Sequence, residues 1–298
     1  MSSQLRFTAV LFLILIGLAR AERLPVEDFS RNDEYLGMTL SPDGRAVAFV
    51  HDVDGEQSIV MRDIETGKTA AVAMPNSGRA WIPQSVRIDW INNHRLIFGL
   101  REGGFAAIEK DGSQVMGLTG RMGAIDRKEY RSVLSDGVLY AYRAEENGDV
   151  LMTEYDIPAA RYDGEWFSPI FPHVIKLNSR TGAKVRVVTN PGNVASWLAD
   201  ANGVIRVALE TKNGIGRTLY RESADASWQP LPGMDWDDAA VRPMEIGADN
   251  HTLYVRRKSP QGMWAVYPYD LKNGKFGEAV IAHELYDIMS PESPTGSN

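Results

Sequence analysis

The sequence predicts an all-β protein built as a β-propeller. A turn-plus-strand phrase, Ser41-Pro42-Asp43-Gly44 followed by Ala46-Val47-Ala48-Phe49-Val50, returns in altered form down the chain. Its returns lie about forty to fifty residues apart, the wavelength of a four-stranded blade. No segment carries a helical apolar period with caps. A β-sandwich would also show short strands, but not Asp/Asn-Gly turns repeated at this spacing.

The first unit runs from about Leu36 to Met74. Pro42 presets φ, Asp43 bonds back to its own backbone and Gly44 accepts positive φ, so a tight turn feeds the strand ending at Val50. A polar turn from Asp52 to Gln57, a strand from Ser58 to Asp63, the turn Glu65-Thr66-Gly67-Lys68 and a strand from Thr69 to Ala73 complete it. β-branched and aromatic residues at strand length support each assignment.

The second unit opens at Val86-Arg87-Ile88-Asp89-Trp90, turns at Asn92-Asn93-His94-Arg95 and turns again at Lys110-Asp111-Gly112-Ser113. The third shows Ser135-Asp136-Gly137 and a strand from Val138 to Arg143. After an insertion it resumes at His173 to Leu177, with the turn Ser179-Arg180-Thr181-Gly182. The fourth turns at Asp200-Ala201-Asn202-Gly203 and, without glycine, at Ala224-Asp225-Ala226. The fifth turns at Gly247-Ala248-Asp249-Asn250-His251 and at Leu271-Lys272-Asn273-Gly274, with a last strand reaching His283. The domain thus expected spans 22–284, with about five recognisable blades.

The N-terminus reads differently. Arg6 precedes an apolar run from Phe7 to Ala19, and Ala19-Arg20-Ala21 supplies small residues at a processing site. This is the pattern of a secretory signal peptide over 1–21, too short for a comfortable membrane span, with an uncleaved anchor as the alternative. The segment 285–298, with Ser290-Pro291-Glu292-Ser293-Pro294, has the composition of a disordered tail. A periplasmic or secreted protein with no membrane span after signal cleavage is expected.

The formal net charge of −7 and the absence of a Lys/Arg-rich run argue against a nucleic-acid partner. The chain has no cysteine, which removes disulfides, thiolate catalysis and Cys-ligated zinc. None of the five histidines pairs at metal-ligand spacing, and His94 and His251 fall in equivalent hairpin turns. Asp52-Val53-Asp54-Gly55-Glu56 places glycine too early for a calcium-binding helix–loop–helix and reads as a solvated hairpin. No metal or cofactor is implied.

Two stretches are candidates for ligand binding. Glu145-Glu146 is a carboxylate pair that leads into the ordinary turn Asn147-Gly148-Asp149. The insertion from about Asp149 to Pro172 carries Tyr155, Tyr162, Trp166, Phe167 and Phe171, and an extra loop on a rigid scaffold is where binding is placed. The alternative is that these aromatics cap the open end of a core. The turn residues Pro42, Asp43, Gly44, Gly67, Gly112, Gly137, Gly182, Gly203 and Gly274 are assigned structural roles.

The phrase Ser41-Pro42-Asp43-Gly44 with Ala48-Phe49-Val50 resembles the propeller repeat of TolB-like proteins and of the prolyl oligopeptidase family. Leu24-Pro25-Val26-Glu27-Asp28-Phe29-Ser30, Ile88-Asp89-Trp90 with Arg95-Leu96-Ile97-Phe98, and Thr181-Gly182 are similar to features of exported peptidases of that family. The resemblance covers about residues 24–283 and implies a propeller that restricts substrate access to a serine peptidase. It also implies that glutamates such as Glu145 and Glu146 hold a peptide terminus. That family carries an α/β-hydrolase domain and seven or more blades. Here the chain ends at Asn298 before such a domain could begin, and no serine has glycine two positions before and two after it.

The expectation is therefore the non-catalytic propeller portion of such a peptidase, an incomplete seven- or eight-bladed ring, with a peptide or protein partner. Open blade edges would favour self-association. The alternative is a free-standing TolB-like scaffold that binds proteins. A five-bladed glycosidase ranks last, since Asp89 has no matching carboxylate at the other blade starts.

Overall fold

A computed structural model describes residues 34–53, 56–73, 88–99, 104–119, 137–142, 146–155, 171–212, 215–236 and 241–288. The signal-peptide stretch, Glu145, Trp166 and Phe167 lie outside the described residues, as do Ser135-Asp136. From Tyr35 onward the chain forms one compact unit.

The described residues contain no helix and form five four-stranded antiparallel sheets, the blades expected from the sequence. Blade 1 holds β1 (Tyr35–Leu40), β2 (Ala46–Val53), β3 (Glu56–Asp63) and β4 (Thr69–Ala73). Blade 2 holds β5 (Ile88–Trp90), β6 (Arg95–Gly99), β7 (Phe105–Glu109) and β8 (Met116–Gly117). Blade 3 holds β9 (Val138–Ala141), β10 (Asp149–Glu154), β11 (His173–Asn178) and β12 (Lys184–Val188). Blade 4 holds β13 (Val194–Ala199), β14 (Ile205–Lys212), β15 (Ile215–Tyr220) and β16 (Gln229–Trp236). Blade 5 holds β17 (Val241–Ile246), β18 (Thr252–Lys258), β19 (Trp264–Asp270) and β20 (Lys275–Phe276).

Blade 3 corrects the sequence reading. The strand at Val138 is the first of its sheet, not the second, and Asp149–Glu154 is the second strand, not part of the insertion. Val150 and Met152 are buried toward blade 2 while Leu151 is buried toward blade 4. A central strand with both faces covered gives an unbroken apolar run, which hides the alternation used to find it. Gly137 therefore precedes β9, and its carbonyl accepts the Thr153 amide at 3.2 Å. Gly148, at φ +80°, is the hairpin glycine of this blade.

Three smaller adjustments follow from pairing. The first blade's polar turn is shorter than 52–57, because Val53 pairs with Glu56. Asp235 and Trp236 close β16, opposite Arg217 and Gly216, so the last strand of blade 4 runs well past the turn Ala224-Asp225-Ala226. Beyond β20 the chain crosses to a single bridge between Ile281 and Val266, and the Ile288 amide donates to the Trp264 carbonyl.

Successive blades stack face to face through apolar seams. Ala48, Val50, Ile59 and Met61 of blade 1 meet Trp90, Leu96, Phe98 and Ile108 of blade 2. Ile97 points the other way, with Phe105 and Ala107, onto Val150, Met152, Ile175 and Leu177 of blade 3. Blades 3 and 4 join through Leu151, Val174, Trp197 and Ile205, and blades 4 and 5 through Val207, Met234, Leu253, Val255 and Tyr269. Among the described residues no such seam joins blade 5 back to blade 1, and the sheets do not close. On β1 this leaves Tyr35, Met38 and Leu40 more than half exposed.

Each blade is an antiparallel meander, so its first and third turns lie at one end and its second turn at the other. The inter-blade connections share the second end. One end is therefore built from tight turns, and the other carries the longer loops, including the insertion.

Candidate functional site

The turn end is closed by hydrogen bonds between its own residues. Gly44, Gly67, Gly112, Gly182, Gly203 and Gly274 all take positive φ in the turns assigned to them. Asp63, Asn178 and Asp270 each use a side-chain oxygen to hold the next turn's amides, an arrangement favoured by short polar side chains. Asp43 is held below the ordinary carboxylate range, first by the Ser41 hydroxyl and then by the Arg45 amide. Asp63, Asp111 and Asp270 are lowered in the same way by donors of their own turns.

The turns are also tied from blade to blade. Asn93 of blade 2 accepts the Asp43 amide at 3.0 Å, and Asn250 of blade 5 accepts the Ala201 amide at 2.8 Å. Tyr140 and Tyr142 of blade 3 donate their hydroxyls to the Ala201 and Gly203 carbonyls of blade 4, at 2.6 and 3.2 Å. Arg95, fully buried, spans blades 2 and 3. Its Nη1 lies 2.9 Å from Glu109, its Nε 2.9 Å from the Ser179 hydroxyl and its Nη2 2.5 Å from the Ser179 carbonyl. Arg180 donates to the same Glu109 oxygen at 2.9 Å. These side chains are spent on the scaffold.

Glu146 sits on this end, exposed, with its carboxylate 3.8 Å from His94 Nε2. Its carbonyl accepts Arg180 Nη1. The described part of the Glu145-Glu146 pair thus faces solvent at a hairpin tip.

Asp249 is the most strongly perturbed carboxyl here, lowered to about 2 by the Thr252 hydroxyl and then by the His251 and Thr252 amides. A depressed folded value contributes stability above the ordinary carboxylate pKa, and that contribution is lost as pH falls through about 2. The group is largely exposed, so the contribution is small. An NMR titration should place its carboxyl midpoint near 2, and Thr252→Val should move it back toward 3.8. A wild-type midpoint at the ordinary value would refute the assignment.

The loop end holds the candidate site, the root of the insertion. The insertion leaves β10 at Glu154-Tyr155 and returns at Phe171-Pro172. At its exit, the Glu154 carboxylate is 9% exposed and bound by Arg186 at 2.8 Å and by Lys184. Burial opposes ionisation of Glu154, but the hydrogen bonds from Lys184 and Arg186 outweigh it, so its pKa lies below the usual value. At its return, the Pro172 carbonyl accepts Asn190 Nδ2 at 2.7 Å and Trp197 Nε1 at 2.8 Å. Asn190 also donates to the Val194 carbonyl and accepts the Gly192 and Val194 amides. Its own amide donates to His173 Nδ1 at 2.9 Å, which fixes that imidazole as an acceptor there.

Sequence reading missed these anchors. The available signal was Lys184-x-Arg186, two cations on one face of a strand next to a lone interior Glu154. Geometrically, the root is two posts, Glu154 and the Pro172 carbonyl, each held by donors from neighbouring strands and turns. Among the described residues no group of three His, Asp or Glu could hold a metal ion. No described helix is long and apolar enough to cross a membrane.

No family model matches this sequence. A curated relative, dipeptidyl aminopeptidase BIII of Pseudoxanthomonas mexicana, is 21% identical over 114 residues, which are 38% of this chain and 16% of that protein's length. The β-propeller domain of the trilobed protease from Pyrococcus furiosus superposes with a TM-score of 0.51 at 11% identity, over 84% of this chain and 72% of that one. TolB of Acinetobacter baumannii gives a TM-score of 0.43 at 12% identity, over 81% of this chain and 53% of that one. The match to the protease propeller shows that the chain shares the propeller fold expected from its repeated turns.

Proposed function

We propose that this chain is the propeller portion of an exported serine peptidase of the prolyl oligopeptidase family, the part that controls which peptides reach a catalytic half. The observation that carries the reading is the local match to a dipeptidyl aminopeptidase within a chain that folds as propeller blades. The insertion rooted at Glu154 and Pro172 supports it. A loop fixed at both ends on the loop-bearing face can narrow a passage without contributing a nucleophile. Trp166 and Phe167 are the side chains assigned to meet the peptide; Glu146 belongs to the opposite, turn end of blade 3 and is not part of that site. The described residues hold five β-sheets and no helix, so no α/β-hydrolase domain lies among them.

The test is an immunoblot of the source cell's envelope fraction with an antibody to residues 24–283, combined with labelling by a fluorophosphonate probe. A band far heavier than 33.0 kDa that takes the label is the expected result. An unlabelled band at or below 33.0 kDa would overturn the proposal and leave a protein-binding propeller as the reading to pursue.

A further inference from the structure

The outward face of blade 5 is unlike the seams between blades. Register places Thr252, Tyr254, Arg256 and Lys258 of β18 opposite Asp270, Pro268, Val266 and Trp264 of β19, all on the side away from blade 4. Arg242 of β17 lies opposite Arg256 on the same side. Three cations converge on one indole: Arg256 lies 4.7 Å from the Trp264 ring centroid, Lys258 5.9 Å and Arg242 6.0 Å. No ion pair among the described residues engages any of the three. Arg256 Nε is buried with no hydrogen-bond acceptor, and a buried unpaired donor on a charged group is costly to leave so.

Among the described residues, the acids on the adjoining strands and on the segment bonded along β19 are Glu245, Asp270, Glu278, Glu284 and Asp287, and none of them pairs with these cations. Asp270 holds the amides of Lys272 and Asn273, and Asp287 accepts the Trp264 amide. Glu245 lies opposite Tyr254. At its turn end the same strand pair opens into a groove of about 370 Å³, lined by His251, Thr252, Pro268, Asp270, Lys272, Lys275 and Gly277, with Asp270 turned to its own turn's amides. Cations therefore mark both ends of one apolar and aromatic floor.

We infer that this face is a docking surface for a carboxylate-bearing polypeptide segment. Guanidinium groups match carboxylates in a planar fork, and the Trp264–Tyr254–Pro268 floor offers packing for the side chains between them. Lipid headgroups and nucleic acid fit less well. The cations are confined to one sheet face of a chain with a formal net charge of −7, which gives no extended basic field for a polyanion. The inference does not rest on the peptidase reading, and a further blade of a longer chain seated on this face would overturn it.

The test is fluorescence anisotropy of the full chain with a labelled peptide of glutamates interrupted by tyrosine, at low and high salt. Binding that weakens with salt, and by about tenfold in Arg256→Gln, is expected. Charge reversal at exposed Lys258 (K258E) should weaken it as well, and serves if Arg256→Gln unfolds in a thermal melt. Absent binding, or binding unchanged in folded variants, would overturn the inference. Equal binding of a single-stranded oligonucleotide or of phosphatidylglycerol vesicles would also overturn it, by showing a general polyanion surface.

Discussion

Replacing Arg95 with alanine should destabilise the protein by about 3 kcal/mol, a substantial share of the stability of an ordinary domain. The guanidinium is fully buried and binds Glu109, Ser179 and the Gln114 carbonyl together. Its removal leaves a cavity between blades 2 and 3 and strips the Ser179 carbonyl of its donor. The cost stays at the lower end of the range for a broken buried pair, because Arg180 keeps its own contact with Glu109. Lysine should recover only part of the loss, since one ammonium cannot reach acceptors that the planar fork reaches at once. Urea unfolding of the three proteins decides the matter. A midpoint for Arg95→Ala within error of wild type would show that the network contributes nothing net.

Gly203→Ala should cost about 2–4 kcal/mol, combining a strained backbone with a steric clash. At φ +75° any residue with a Cβ is strained, and an added Cβ would lie 2.7 Å from Tyr142 Cε1 and 2.9 Å from Tyr140 Cδ1. Both tyrosines would have to move, and their hydroxyls hold the Ala201 and Gly203 carbonyls of the next blade. Gly44→Ala is the matched control. Its φ is +69°, but an added Cβ would meet nothing within 4 Å, so only the backbone term of about 1 kcal/mol applies. If both variants melt alike, the tyrosine contact is not what limits position 203.

Much of the architecture was legible because turns write themselves locally. Pro42-Asp43-Gly44, Thr66-Gly67, Thr181-Gly182 and Asn273-Gly274 each encode a backbone path in a few consecutive residues, and their spacing gives the blade. The second strand of blade 3 was not legible. Asp149-Val150-Leu151-Met152-Thr153 is covered on both faces, so its pattern matches no single-sided period. The candidate site was half legible: the aromatic insertion stood out as an interruption of a repeat, whereas its anchors did not. Glu154, Asn190 and Trp197 are ordinary residues until Lys184, Arg186 and Pro172 are brought beside them.

By itself, the sequence determined the blade repeat, the turn chemistry and the all-β class, because these depend on φ preferences and side-chain bonds within a few residues. Only the tertiary structure decided which blade faces are covered and which are not. It joined Arg95 to Ser179 across two blades, set Asn93 and Asn250 as clasps between neighbouring turns, and gathered Arg242, Arg256 and Lys258 around Trp264. Such contacts depend on sheet register and on stacking between blades, and neither is written in any short run of residues.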